Sequence, residues 1–275
     1  MPLNPPSTNA TDNHKEPLDD HAIAAQVATA AGELLMALRA DLVAQGAPRW
    51  AIEQQGDAQA HRLCAQALAK LAPGDALLSE EGTDDPVRLG AERTWIVDPL
   101  DGTREYGEYP RRDFAVHVAL VKKNRPVAAA VALPAVGVTY QSGLGLELPQ
   151  RDEGPPRMVV SRSRPPHICY LIAEAIGAEL IPMGSAGAKA MAVVSGEADI
   201  YAHAGGQYEW DSCAPVGVAN AVGLYTARLD GAPLLYNQPD PWLPDFLICR
   251  PEYTDDILAV VHQHFQRSTY QNRWH

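Results

Sequence analysis

The sequence predicts an α/β chain whose N-terminal part is α+β, and three observations carry that prediction. Helical periodicity opens the chain, alternating strand patterns fill its middle, and short apolar runs alternate with helical stretches beyond residue 157. A first helix is expected over 18–44, with Ile23, Val27, Ala30, Leu34, Leu38 and Leu42 on one stripe. Asp19 or Asp20 would cap it, and Gly46 and Pro48 would stop it. A second is expected over 57–71, with Cys64, Leu68 and Leu71 on one face and Pro73-Gly74 at its end. The apolar run 76–78 leads into Ser79-Glu80-Glu81-Gly82, and 94–97 reads as a short buried strand. Residues 114–120 alternate in polarity, a polar turn at 122–126 leads into 127–133, and 136–141 completes an antiparallel meander. The Gly- and Pro-rich stretch 142–156 is a linker, followed by a strand at 158–160 and helices near 166–176, 188–195, 212–222 and 255–266. The expected division is a disordered leader at 1–16, an N-terminal α+β part at 17–157 and a C-terminal α/β part at 158–275.

Composition narrows the function. A chain of 275 residues buries a large core without help from disulfides or a structural metal. Cys64, Cys169, Cys213 and Cys249 form no close pair, which argues against zinc and redox motifs, and they read as free thiols in a reducing cytosol. The first residues lack a charged-then-apolar leader pattern, and no apolar run is long enough to span a membrane. A net charge of −12 disfavours a polynucleotide partner, since phosphate neutralisation needs a basic face. An acidic chain can still bind anionic metabolites if bound cations reverse the local field.

Four acidic residues sit at element ends. Glu80 follows an apolar run, Asp98 follows Trp-Ile-Val, Asp101 comes three residues later before Gly102-Thr103, and Asp211 opens a helical run. Taken singly, an Asp before Gly is ordinarily a turn residue, Asp211 an N-cap, and Glu80-Glu81 a solvated loop. Together they are the hard oxygen donors that Mg²⁺ needs, supplied from several elements meeting at one crevice. The proline in Asp98-Pro99-Leu100-Asp101 restricts the turn so that both carboxylates and the Leu100 carbonyl can face one pocket. Gly102 lets a backbone amide come close, and Thr103 offers a hydroxyl.

Trp95–Thr103, WIVDPLDGT, resembles the first signature of the inositol monophosphatase-like superfamily, Trp210–Pro215, WDSCAP, its second, and Leu77–Gly82, LLSEEG, its acidic element. Within it, DPLDGTREY and the segment 184–215 are similar to the CysQ-type 3'(2'),5'-bisphosphate nucleotidases, the actinobacterial branch above all. The resemblance runs from about residue 18 to the C-terminus. It implies a layered αβαβα sandwich, a homodimer, and two or three Mg²⁺ ions held by Glu80, Asp98, the Leu100 carbonyl, Asp101 and Asp211, four of which (Glu80, Leu100, Asp101 and Asp211) also adjoin the substrate. Glu80 would also serve the ion that holds the attacking water, Gly102 and Thr103 would grip the phosphate, and Thr103 would pass the water's proton to Asp57. Gln54 stands where the family has a threonine, which leaves Asp57 open to a second reading as the cap of the second helix. Ser161, Arg164, Ser185 and Lys189 fall in segments that resemble nucleotide contacts, with Lys189 the reader of the uncleaved phosphate and Arg164 its fallback. His203 reads as a structural loop residue.

The implied activity is hydrolysis of 3'-phosphoadenosine 5'-phosphate to AMP and phosphate, clearing a by-product of sulfate assimilation. An inositol monophosphatase or fructose-1,6-bisphosphatase would use the same metal core. A non-catalytic nucleotide- or metal-binding protein is the rival from another class, and the intact set of acids argues against it.

Overall fold

The computed structural model describes residues 18–271, and the expected leader at 1–16 lies outside them. Helices α1 (Asp20–Ala44) and α2 (Arg49–Leu71) come first. The Asp19 carboxylate caps α1 by accepting from the Ala22 amide at 2.7 Å. Its buried stripe runs through Ile23, Val27, Ala31, Leu35 and Leu42, while Leu34 and Leu38 are half-buried. Repeated four-residue steps precess by about 40° each on a 3.6-residue helix, so the stripe needs a step of three to stay on one face. Helix α2 starts eight residues before its expected start, with Pro48 at the N-cap and Ile52, Gly56 and Ala60 buried at helical spacing. Asp57 therefore lies inside the helix and is not its cap.

The first sheet has the order β1-β2-β3-β4-β5, built from β1 (Ala76–Ser79), β2 (Thr94–Asp101), β3 (Ala115–Lys122), β4 (Arg125–Leu133) and β5 (Val138–Gln141). It is a meander except at one edge, where β1 pairs with β2 in parallel, so the sheet is mixed and not wholly antiparallel. Helix α3 (Thr103–Gly107) follows β2 directly. The second sheet has the order β7-β6-β8-β10-β9, from β6 (Arg157–Ser161), β7 (Glu179–Met183), β8 (Ile200–Tyr208), β9 (Tyr225–Ala227) and β10 (Trp242–Cys249). Its connections carry α4 (His167–Ile176), α5 (Ala186–Val194) and α6 (Glu209–Ala221), and α7 (Thr254–Gln271) ends the described chain.

Three apolar clusters define five layers. Helices α1 and α2 cover the outer face of the first sheet through Leu35, Leu68, Val97 and Leu120. Helices α5 and α6 lie between the sheets, where Met191, Val193 and Val218 meet Ile96, Val131, Tyr201 and Phe246. Helices α4 and α7 cover the second sheet through Ile172, Ile200, Leu247 and Ile257. This is the layered αβαβα sandwich that the motifs imply. The four cysteines are free and buried, and no helix among the described residues is long and apolar enough to cross a membrane.

Helix α5 reaches β3 at Gly187. A Cβ there would lie 2.1 Å from His117 Nε2 and 2.8 Å from Ala115 Cβ, and the His117 side chain is fully buried. Gly187→Ala should destabilise the fold by about 1–3 kcal/mol, because an enclosed imidazole cannot give way. Urea unfolding of the two proteins measures this, and equal midpoints would show that the contact is loose.

Candidate active site

A strand presents side chains alternately to its two faces, so residues three apart should point in opposite directions. Asp98 and Asp101 escape this through a bulge in β2. Asp98 pairs with His117 and Asp101 with Ala115, so the three-residue step on β2 faces a two-residue step on β3. Pro99, which donates no hydrogen bond, sits within the irregular stretch, and the Leu100 amide turns back to Asp98 Oδ1 at 3.1 Å. Both carboxylates then share a face, and Asp211, in the first turn of α6, joins them. One ligand atom from each of Asp98, Asp101 and Asp211 lies within 4.8 Å of the others. Glu80, directly after β1, faces the same group. Gly102 ends β2 with a left-handed φ of +83°, which glycine adopts without steric cost, and α3 starts at Thr103.

The electrostatics follow from crowding like charges in a buried place. Burial, then the Asp211 charge, pushes Glu80 up to about 7. Burial, then Glu80, holds Asp98 well above the carboxylate range. Burial and Asp101 push Asp211 up to about 6. Asp101 is the exception. Burial would raise it, but His117, Ser185 and the more distant charge of Lys189 outweigh burial and hold it low. Its oxygens accept from the Ser185 hydroxyl, the Ala186 amide at 3.0 Å and the Gly187 amide at 2.6 Å. His117 donates through Nδ1–H to the Trp210 carbonyl, 3.0 Å away, and its Nε2 lies 3.3 Å from Asp101 Oδ2 without the alignment of a hydrogen bond. Burial disfavours a charge on His117, yet the Asp101 carboxylate keeps its pKa above the ordinary value.

These residues fit a hard divalent cation. The donors are all carboxylate oxygens, they converge, and three of them resist ionisation because they are buried beside one another's negative charge. Beside them, Thr103 Oγ1 lies 3.0 Å from Asp57 Oδ1 and 3.0 Å from the Leu100 carbonyl. Burial raises Asp57 to about 6 in spite of that hydrogen bond.

A cleft of about 460 Å³ opens over the cluster, and Glu80, Asp101, Gly102, Ser161, Arg164, Ser185, Lys189 and Asp211 all line it. Asp98, only 1% exposed, lies beneath. Two lining residues differ from their expected setting. Ser185 turns inward to Asp101, with a φ of +53° that is uncommon for a serine. Lys189 is not the solvated cation expected of a phosphate reader. It is 5% exposed, and its amine donates to the Ser185 carbonyl at 2.5 Å and the Gly184 carbonyl at 3.3 Å, over the Tyr201 ring. Arg164 is exposed on the rim, and its amide donates to Ser161 Oγ at 3.3 Å. His203 is not the loop residue expected: it lies within β8, paired with Phe246 of β10, and lines the cleft, with its Nε2 3.1 Å from the Gly206 carbonyl.

Sequence reasoning missed three features of the site. His117 is a lone polar residue in an apolar strand, a signal visible in Phe114-Ala115-Val116-His117-Val118. Arg162 lines the cleft but is neutralised by Glu105 at 2.7 Å and Glu108 at 3.0 Å. Tyr208 and Trp210 stack at the mouth, with centroids 4.7 Å apart and planes at 12°.

Fold, bulge and carboxylate cluster define a metal-dependent phosphoester hydrolase of the layered αβαβα type. A model of the inositol monophosphatase family matches residues 14–266, and the chain belongs to that family. It is 46% identical over 266 residues to a Mycobacterium leprae protein named 3'-phosphoadenosine 5'-phosphate phosphatase, covering 92% of this chain and 97% of the relative. It is 31% identical over 206 residues to the Escherichia coli K12 3'(2'),5'-bisphosphate nucleotidase CysQ, covering 70% of this chain and 82% of the relative. The crystal structure of CysQ from Bacteroides thetaiotaomicron, a bacterial member of the inositol monophosphatase family, superposes with a TM-score of 0.67 at 27% identity. It covers 83% of this chain and 96% of that one.

The raised pKa values set a pH trend for the metal-free protein. Glu80, Asp98 and Asp211 bind protons in the fold that the unfolded chain releases near its ordinary values of 4.5 and 3.8. Stability from these groups is full below those values and is lost as pH rises through about 7. Asp101, held low, gives the opposite trend only below its ordinary 3.8. Melting temperature in chelator should therefore fall between pH 5 and pH 8. Saturating Mg²⁺ should raise it by roughly 5 °C at pH 8 and by less at pH 5. Scanning fluorimetry in the four conditions tests this, and an equal shift at both pH values would disconnect the cation from these carboxylates.

Proposed function

We propose that the chain hydrolyses the 3'-phosphate of 3'-phosphoadenosine 5'-phosphate, giving AMP and inorganic phosphate, with Mg²⁺ as cofactor. The observation that carries this reading is the convergence of Asp98, Asp101 and Asp211 beside the Thr103–Asp57 pair, at the floor of a cleft large enough for a nucleotide. The names of the relatives support the choice of substrate, and a role in sulfate assimilation, in the cytoplasm and as a homodimer, accompanies it. Glu80, Asp98, the Leu100 carbonyl, Asp101 and Asp211 would hold Mg²⁺, two or three ions, which when bound neutralises phosphate charge and acidifies water.

The remaining chemistry belongs to the chain. Gly102 and Thr103 place backbone amides and a hydroxyl where β2 gives way to α3, facing the phosphate. Water attacks phosphorus in line, one P–O bond forms, the bond to the 3'-oxygen breaks, and that oxygen leaves with a proton. The Thr103 hydroxyl has one proton and two acceptors in reach. When Asp57 is ionised the proton turns to Asp57, which frees the oxygen's lone pairs to accept from the attacking water. Thr103→Ala and Asp57→Asn should each lower kcat by about a hundredfold, and the double variant should fall little further, since the two act as one relay. Multiplicative losses would mean that they act separately.

The uncleaved phosphate needs its own cation. Lys189 is committed to two carbonyls, whereas Arg164 stands on the rim with no ion-pair partner among the described residues. In this reading Arg164 takes the second phosphate and Lys189 holds the Gly184-Ser185 turn against Asp101. Phosphate release with Mg²⁺ from 3'-phosphoadenosine 5'-phosphate, inositol 1-phosphate and fructose 1,6-bisphosphate tests the function, and the nucleotide should have the highest kcat/KM. Arg164→Ala should lower the nucleotide value about tenfold more than the inositol phosphate value, and Lys189→Ala should lower both alike. A preference for inositol phosphate in the wild type would overturn the nucleotide assignment.

A further inference from the structure

The metal carboxylates and their supports hold a phosphate, but nothing in them recognises what the phosphate is attached to. The cleft has one further feature that the hydrolytic chemistry does not use. Tyr208, the last residue of β8, lines the cleft together with Glu80, Asp101 and Asp211 and leaves 46% of its surface exposed. A single exposed aromatic residue is ordinary. This one is held in place from two sides. Its ring lies parallel to Trp210, with centroids 4.7 Å apart, and Trp210 packs against the apolar cluster between the sheets. Its backbone amide donates to Asp211 Oδ2 at 2.7 Å. The ring and a carboxylate of the hydrolytic cluster therefore belong to one fixed turn.

We infer that Tyr208, backed by Trp210, is the stacking platform for the nucleobase of the substrate. This rests on the nucleotide reading and extends it to a residue that determines specificity. A base laid on Tyr208 would continue a stack that already runs through Trp210 into the core. A tyrosine with few rotamers, already stacked, loses little conformational freedom when it does so. Every base offers a π-face, so the platform separates base-bearing phosphates from inositol and sugar phosphates and discriminates poorly among bases. Arg164 and Tyr208 line the same cleft, so the uncleaved phosphate and the base have separate partners above one carboxylate floor.

The test uses the full chain with Mg²⁺ and the variants Tyr208→Ala and Tyr208→Phe. For Tyr208→Ala, kcat/KM on 3'-phosphoadenosine 5'-phosphate should fall about tenfold more than on inositol 1-phosphate. Tyr208→Phe should restore it to within about twofold of wild type, since the ring and not the hydroxyl is used. Replacing adenine by guanine in the substrate should cost wild type little. Equal losses on both substrates would show that Tyr208 only supports the Asp211 turn, and the inference falls; so it does if neither substrate is affected. A second arm stands apart from the nucleotide assignment: inhibition of inositol 1-phosphate hydrolysis by AMP and by ribose 5-phosphate. AMP should inhibit wild type about tenfold more tightly than ribose 5-phosphate, and Tyr208→Ala should abolish that gap. If the wild type fails to cleave the nucleotide yet shows the gap, the proposed substrate is wrong and the platform stands. If it cleaves the nucleotide and the gap survives in Tyr208→Ala, the substrate is right and the platform is wrong.

Discussion

The structure is organised around a concentration of buried negative charge. Asp98, Asp101 and Asp211 are held together with Glu80 beside them, and ionised carboxylates in such a place repel one another and lose hydration. No fold would gather them for stability. The surrounding elements hold them by geometry instead: a bulge that turns two positions of β2 to one face, a parallel edge strand that ends at Glu80, and a helix that brings Asp211 from the other side. The five layers make this placement rigid, because β2 is buried along its whole length.

Around this floor the polar interior divides the acids into two kinds. Asp101 accepts from the Ser185 hydroxyl and two amides at the start of α5, and the imidazole of His117 lies beside it. It is the one carboxylate of the group that the protein itself holds ionised. Glu80, Asp98 and Asp211 have no comparable set of donors, and their ionisation awaits an external cation. Lys189 contributes at one remove. By binding the Gly184 and Ser185 carbonyls it secures a serine with a positive φ, a conformation that costs energy and persists only when its surroundings enforce it. The protein's net charge of −12 is consistent with this economy of cations, since positive charge is spent where it fixes geometry.

Much of this was legible in the sequence, and the exceptions have physical causes. Acids after apolar runs, a proline between two of them, and a glycine before a threonine marked where the acids converge, because element ends and special backbone angles leave residue-specific marks. The early part of α2 was hidden because Glu53, Gln54 and Gln55 give no apolar stripe, its buried positions there being Ile52 and Gly56. The parallel edge of the first sheet was hidden because pairing direction is set by tertiary connection and not by strand composition. Strands β9 and β10 went unread for a related reason: one is three residues long and the other contains a proline and an aspartate. Lys189 shows a further limit. Its segment resembles a ligand-binding stretch, but burial is a property of the packed layers, and one lysine in a helical pattern reads the same whether it faces water or a carbonyl.

That limit bears on how a shared floor can serve different phosphate esters. Inner-wall residues are committed: Ser185 to Asp101, Lys189 to carbonyls, His117 to Trp210 and Asp101. Changing any of them disturbs the carboxylates before it changes the substrate. Outer-wall residues such as Arg164 and Tyr208 are exposed: the Arg164 amide bonds Ser161, and Tyr208 is tied to Asp211 by its backbone amide and to Trp210 by its ring. Neither side chain bonds an oxygen of Asp101 or Asp211, so each can vary with less effect on the carboxylates than the inner wall can. A phosphatase built in this way keeps its hydrolytic chemistry under tight packing constraint and leaves the rest of the substrate to exposed positions on the rim of the cleft.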